Sequence, residues 1–323
     1  MVDVGIDGLG RIWVADGMQQ QIKVFRQDGT LVRSIGRKGA GPAEFGDLAG
    51  FDWAPDGTLW VVDGGNARFA VFDTAGNLTQ TRPRTSTLSI SPWPGAVDGE
   101  GRLADVAAGR DAQGQRRDFV LRFSPDGGPV DTLHLPVARE EVFGEITRGT
   151  PTNRSVKRAP VPFLGMPLWA LDPEGYAWVG MTDRYRLERR RFDGSVERVL
   201  ELENTPPQVT RADREQILRN YRWFEEQGGK LDASRIPATH PDLLNLFFDD
   251  ERHLWVLPTY RFQQKPAIDV FNLDGRYLGA VQSPVSIGSH PAPVIRNGLL
   301  AAVASDPDGV ESIVLMRIDR PGR

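Results

Sequence analysis

Short apolar runs alternate with turn residues along the whole chain. The first reads Val4-Gly5-Ile6, breaks at Asp7-Gly8-Leu9-Gly10 and resumes as Ile12-Trp13-Val14-Ala15. A third run, Ile22-Lys23-Val24-Phe25, leads to a second turn at Asp28-Gly29. Runs this short, rich in β-branched and aromatic residues and bounded by Gly and Asp, predict strands joined by tight turns. The unit then recurs with fixed offsets. Trp13, Trp60 and Trp178 each stand three residues after the turn glycine at 10, 57 and 175, and Trp255 stands three after Arg252. Ala104 and Ala301 hold that place after Gly101 and Gly298. Phe25, Phe72, Phe123 and Phe271 each precede a second turn glycine by four residues (Gly29, Gly76, Gly127, Gly275), as Ile318 precedes Gly322; Phe192 is followed early, by Asp193-Gly194.

The first-turn positions 10, 57, 101, 175, 252 and 298 are separated by 47, 44, 74, 77 and 46 residues. The base period is therefore about 45, interrupted twice, which fits a blade of two hairpins that cannot bury its faces without neighbours. This predicts an all-β fold, a six-bladed β-propeller formed by residues 1–323 as a single unit, with two top-face insertions, one containing a helix. The insertions cover about 136–166 and 204–241, each between the outer strand of one blade and the inner strand of the next. The first shows no clear periodicity, carries Arg139, Arg148, Arg154, Lys157 and Arg158, and is expected to be an ordered loop or flap. In the second, Thr210 and Asp213 make a capping pair, Ile217, Leu218, Tyr221 and Phe224 an apolar stripe, and Gly228-Gly229 a stop. That helix is expected to cover the propeller top or to act as a ligand lid. Between the first and last turn glycines lie 288 residues, leaving 35 at the two ends against a period of about 45. The last blade is thus expected to lack one strand, with the natural product beginning further upstream.

The best-preserved stretch runs from Ile35-Gly36-Arg37-Lys38-Gly39-Ala40-Gly41-Pro42-Ala43-Glu44-Phe45 through Asp56-Gly57-Thr58-Leu59-Trp60-Val61-Val62-Asp63 and Asn66-Ala67-Arg68 to Phe72-Asp73. It resembles the NHL repeat of bacterial six-bladed propeller proteins, specifically over 35–78, recognisably over 4–36 and faintly elsewhere. The three spaced glycines suit a loop between blades; as a phosphate loop they would need a Lys-Ser or Lys-Thr and a helix to follow, and neither does. Asp16 and Asp63 are equivalent, as are Gln19 with Asn66 and Gln21 with Arg68. In NHL-like blades such residues bond the loop between the second and third strands, and the other reading places them at the channel mouth. The resemblance further implies an extracytoplasmic, periplasmic or secreted location, with a cytoplasmic one left open. It also suggests an enzymatic alternative, a metal-dependent hydrolase or lyase. Similar calcium-dependent lactonases place Glu, Asn and Asp ligands around the channel, a set this chain does not reproduce in order; similar amidating lyases use a histidine-ligated zinc.

Composition narrows the chemistry. With no cysteine there is no disulfide, thiolate site or cysteine nucleophile, and the four histidines are His134, His240, His253 and His290. His240 and His290 precede inner strands and could face the channel; His253 reads as a surface turn residue and His134 as the end of an outer strand. No Gly-x-Ser-x-Gly elbow occurs. A net charge of −4 lacks the basic excess a dedicated nucleic-acid binder needs, and no apolar run reaches membrane-span length. The expectation is a ligand-binding or protein-interaction module with no required cofactor, calcium being the cation the resemblance would allow. Its partner is expected to be a small acidic or aromatic molecule, a peptide or a protein. The candidate site residues on the insertion-bearing face are Arg184, Arg186, Tyr221, Trp223, Tyr260 and Arg261, because guanidinium forks hold carboxylates and aromatic faces stack on rings. The plain alternative for such arginines, including Arg189, Arg190 and Arg191, is a solvated strand edge.

Overall fold

A computed structural model of the chain describes residues 1–86, 92–110, 112–138, 141–150, 153–259, 267–306 and 308–319. Blade one consists of β1 (Asp3–Ile6), β2 (Ile12–Asp16), β3 (Gln21–Phe25) and β4 (Leu31–Ile35). Blade two has β5 (Leu48–Trp53), β6 (Leu59–Asp63), β7 (Arg68–Phe72) and β8 (Leu78–Pro83), and blade three β9 (Ala96–Val97), β10 (Leu103–Arg110), β11 (Arg116–Phe123) and β12 (Pro129–His134). Strands β13 (Val142–Thr150) and β14 (Asn153–Pro160) stand apart. Blade four follows with β15 (Pro167–Leu171), β16 (Ala177–Met181), β17 (Arg186–Arg190) and β18 (Val196–Glu201). Then come α1 (Arg211–Asn220), α2 (Arg222–Glu226) and β19 (Lys230–Leu231). Blade five is β20 (Leu243–Phe248), β21 (Leu254–Pro258), β22 (Ala267–Phe271) and β23 (Tyr277–Gln282), and blade six β24 (Val294–Arg296), β25 (Leu299–Ser305) and β26 (Glu311–Arg317). Blades one to five are four-stranded antiparallel meanders; among the described residues blade six has three strands.

The side-chain period of two builds the ring. In β2, Trp13 and Ala15 join Leu48, Phe51, Leu59 and Val61 of blade two in one core, whereas Ile12 and Val14 join Leu299 and Ala301 of blade six in another. The same alternation links blades two and three, three and four, four and five, and five and six. Six inter-blade cores therefore close a six-bladed propeller. Second strands, covered on both faces, are buried end to end in β6 and β21, while the outer β23 alternates toward solvent. The loop before blade two docks because Gly36 adopts φ +84 against the buried Phe45 ring, where a Cβ would come within 2.2 Å of a ring carbon.

The first insertion is regular sheet rather than the expected ordered loop or flap. It is the hairpin β13–β14, and β19 from the second insertion pairs with β13, so the two insertions complete one three-stranded sheet. The helix begins as the sequence indicates: Thr210 accepts from the Asp213 N–H while the Asp213 carboxylate caps Thr210 in return. It breaks at Tyr221 and resumes as α2. Phe143, Ile146, Ala159, Val161, Ile217 and Phe224 form a core separate from the blades. The first insertion carries no period-two signal because β14 is an edge strand exposed on both faces at successive positions, Ser155, Val156, Lys157 and Arg158, with Ala159 buried. Among the described residues no helix is long and apolar enough to cross a membrane.

Candidate functional site

The inner strands surround a cavity of about 1110 Å³. Its wall runs from Asp3 and Trp93, on inner-strand starts or the segments before them, to the first-turn residues Asp7, Gly8 and Leu9 of blade one, Ala54 and Pro55 of blade two, Asp98 and Gly99 of blade three and Asp172 and Pro173 of blade four. Both insertions join outer to inner strands and so sit at the opposite end of the inner strands. The cavity therefore reaches the face away from the insertions.

Several carboxylates line it, and their partners divide them. Asp7 receives Arg11 Nε at 2.6 Å and Trp13 Nε1 at 2.8 Å on one oxygen, and the Leu9 and Arg11 N–H groups on the other. Asp98 is held alike by Arg102 Nε at 2.6 Å, and Asp172 by Arg189 Nε at 2.7 Å, each also receiving two N–H groups of its own turn. These aspartates stand three residues before the turn positions and organise the turns. Asp249 does the same in blade five, with Trp255 Nε1 at 3.0 Å. They are structural.

Asp3 and Asp52 differ. Asp3 accepts from the Val4 N–H and, across the blade boundary, from the Phe51 N–H, both at 2.9 Å. Asp52 accepts from the Trp53 and Val97 N–H groups at 2.8 Å, likewise spanning two blades. Among the described residues neither has a basic group within ion-pair distance. Burial pushes the Asp3 carboxyl up to about 7 against the Phe51 and Val4 N–H donors, with the Asp52 charge adding to the rise. Burial lifts Asp52 to about 6 against the Val97 and Trp53 donors and the charge of Arg296. Arg296 also lines the cavity and approaches the Ile6 carbonyl at 3.5 Å.

Aromatic rings complete the wall. Trp53, Trp169 and Phe248 remain partly exposed, while Trp13, Trp93 and Phe247 are buried behind the surface. Trp53 stands edge-on to Trp13 at 5.6 Å and to Phe51 at 5.2 Å. Blade one accommodates it with Gly5, where a Cβ would meet the Trp53 ring at 2.5 Å.

The residues expected at a site are placed elsewhere. Arg184 is exposed, its Nε 3.6 Å from Asp183, and Arg186 is tied to Glu188 and, at 3.4 Å, to Glu201. Tyr221 donates to the Pro160 carbonyl at 3.2 Å and packs edge-on to Phe143. Trp223 carries the Lys157 ammonium 4.4 Å over its ring. None of the four lines the cavity: each is engaged by neighbours within blade four or within the insertion unit. Tyr260 and Arg261 lie outside the described residues. Arg189 is no solvated edge residue but is buried, held by Asp172, Glu174 and Glu197 with its guanidinium 4.0 Å over Tyr176. Of the histidines expected at the channel, His290 lines it, while His240 is buried among the insertions beside Asp213 and Phe163. Among the described residues no group of three or more His, Asp and Glu comes together to hold a metal.

Asp63 and Asp16 take the structural role. Asp63 receives the Gly46 N–H, Asn66 Nδ2 and Arg68 Nε, and Asp16 receives Lys23 Nζ and the Met18 and Gln19 N–H groups. What reasoning from the sequence missed was Asp52. Five residues before the turn position the other blades carry Gly5, Ala96, Ala170, Phe247 and Pro293, so a carboxylate in that column was the available signal.

A family model for a 6-bladed beta-propeller matches residues 6–87, within blades one and two and the loop after them. No curated protein matches the chain. Among solved structures, a protein of unknown function from Bacteroides caccae is 10% identical, with 95% of this chain and 89% of that chain covered and a TM-score of 0.50. A virginiamycin B lyase from Staphylococcus aureus is 9% identical, with 98% and 85% covered and a TM-score of 0.40. At such identities the likeness is one of fold.

Proposed function

We propose that the protein is a ligand-binding propeller module whose site is the central cavity. The observation that carries this reading is the cavity itself: about 1110 Å³, with Trp53, Trp169 and Phe248 left partly exposed beside carboxylates that the fold does not neutralise. Protein sites for small molecules are concave, mostly apolar and furnished with a few placed polar groups. Indole faces suit a flat ring or the apolar face of a sugar. The charge balance of the wall favours a neutral or cationic molecule over the acidic one that the surface arginines suggested. The interlocked loop of 36–47, gripped by Asp63, Asn66 and Arg68, supports reading the repeats as NHL-like, and with that likeness goes an extracytoplasmic location. A propeller hydrolase or lyase is the second reading, favoured by Asp3 and Asp52, whose carboxyls sit close to neutrality where a general acid or base works best.

Ligand-observed NMR with a library of small ring compounds tests the site. Hits should be weakened about tenfold or more by Trp53→Ala and Trp169→Ala, each ring contributing on the order of 1 kcal/mol or more. Hits that bind both variants as well as the parent protein would place the site elsewhere.

A further inference from the structure

Among the described residues, two carboxylates of the cavity wall have neither an ion-pair partner nor a side-chain donor. Of its carboxylates, Asp7, Asp98 and Asp172 each carry an arginine, and Asp73, at the rim, is capped by the Asn77 N–H and side-chain amide. Among the described residues Asp3 and Asp52 have only backbone N–H donors. A carboxylate accepts at about four lone-pair positions, so each retains acceptor capacity after two bonds. Asp3 lies beside the start of the Trp93 side chain, a Cβ at Gly50 meeting Asp3 Oδ2 and Trp93 Cβ both at 2.9 Å, and the partly exposed Trp53, Trp169 and Phe248 line the same cavity. Arg296 is the one cavity cation without a carboxylate at ion-pair distance among the described residues, and it stands against two such carboxylates.

We propose that this cavity selects organic cations, an ammonium group being held by Asp3 and Asp52 with its hydrocarbon part against the partly exposed rings Trp53 and Trp169. The proposal rests on the cavity being the binding site, and adds the class of ligand. Half-buried carboxylates left without a counter-ion favour the arrival of a cation, and indole faces attract cations in addition. An anion would be repelled by both carboxylates and attracted by Arg296 alone. Binding is coupled to protons. The charged groups that share the wall with the pair are Arg296 from β24, Asp73 at the rim, the Asp7–Arg11, Asp98–Arg102 and Asp172–Arg189 pairs at the turns, and His290, whose pKa desolvation lowers. With Asp3 lifted to about 7 and Asp52 to about 6, the empty site holds protons below neutrality that a cation must displace.

The test uses the whole chain and three probes of nearly one shape: phenethylamine, phenethyl alcohol and 3-phenylpropanoate. Calorimetry should show the amine binding about tenfold or more tightly than the alcohol, and the carboxylate most weakly. The amine's affinity should rise from pH 5 to pH 8 with proton release on binding, while the alcohol's stays level. Asp52→Asn should narrow the gap between amine and alcohol without weakening the alcohol. Since that variant could misfold, the comparison of probes and the pH series on the unaltered protein decide independently. If the alcohol binds as well as the amine, or the carboxylate binds best, the cation inference is overturned and the cavity remains a site. If no probe binds and Trp fluorescence is unmoved, both readings fall.

Discussion

Trp255 and Trp178 occupy the same place in blades five and four, and both are almost wholly buried. Trp255 Nε1 donates to Asp249, whereas Trp178 Nε1 has no partner among the described residues; the aspartate of its own turn, Asp172, accepts from Arg189. A buried donor without an acceptor costs about 1–3 kcal/mol. Replacing each by Phe removes similar volume, so Trp255→Phe should destabilise by about 1 kcal/mol more than Trp178→Phe in denaturant unfolding. Equal losses would show that the Trp255–Asp249 bond contributes nothing net.

At the scale of elements, the insertion unit has its own core, and Phe224 is its anchor. The ring is fully buried against the backbone at Gly144 and Gly229, where a Cβ would strike it at 2.8 and 2.2 Å. Truncating a buried Phe costs about 3–5 kcal/mol, more than a unit this small can lose and stay folded. Phe224→Ala should therefore release amide exchange in 142–150, 153–160 and 211–226 while the blade strands keep their protection. Exchange rising uniformly through the blades would mean that the insertions brace the propeller.

For the whole molecule, burying Asp3 and Asp52 couples stability to pH. Their folded values of about 7 and about 6 lie above an unfolded value near 3.9, so the folded state binds more protons across that window. The contribution is present in full at low pH and lost as pH rises through the folded values. His290, held low by burial, acts in the opposite sense, but only below an unfolded value of about 6.5. The carboxylates held low, such as Asp7 and Glu188, are ionised in both states well below that. Between about pH 6.5 and 8 the denaturant midpoint should consequently fall, and Asp3→Asn should reduce the slope. A midpoint that rises or stays level across that interval would contradict the placement of Asp3.

Blade count, the strand order within blades, the turn glycines, the capping box of α1 and the structural part of Asp16 and Asp63 were all legible along the chain, because each depends on residues within one hairpin or one turn. A side-chain period of two and a repeat of about 45 residues are local signals. The union of the two insertions was not, since β13 and β19 are separated by the whole of blade four and pair through backbone groups that carry no residue code. Nor was the site. Charge along the chain shows many aspartates and arginines, but which are neutralised depends on neighbours from other turns and blades, as Arg189 reaches Asp172 and Asp3 reaches Phe51. Tertiary structure alone engaged Arg186 and Arg189 within blade four, left Asp3 and Asp52 without counter-ions among the described residues, and carried the cavity to the face away from the insertions; the physical reason is that desolvation and ion pairing are set by what surrounds a group in space, to which position along the chain is only loosely tied.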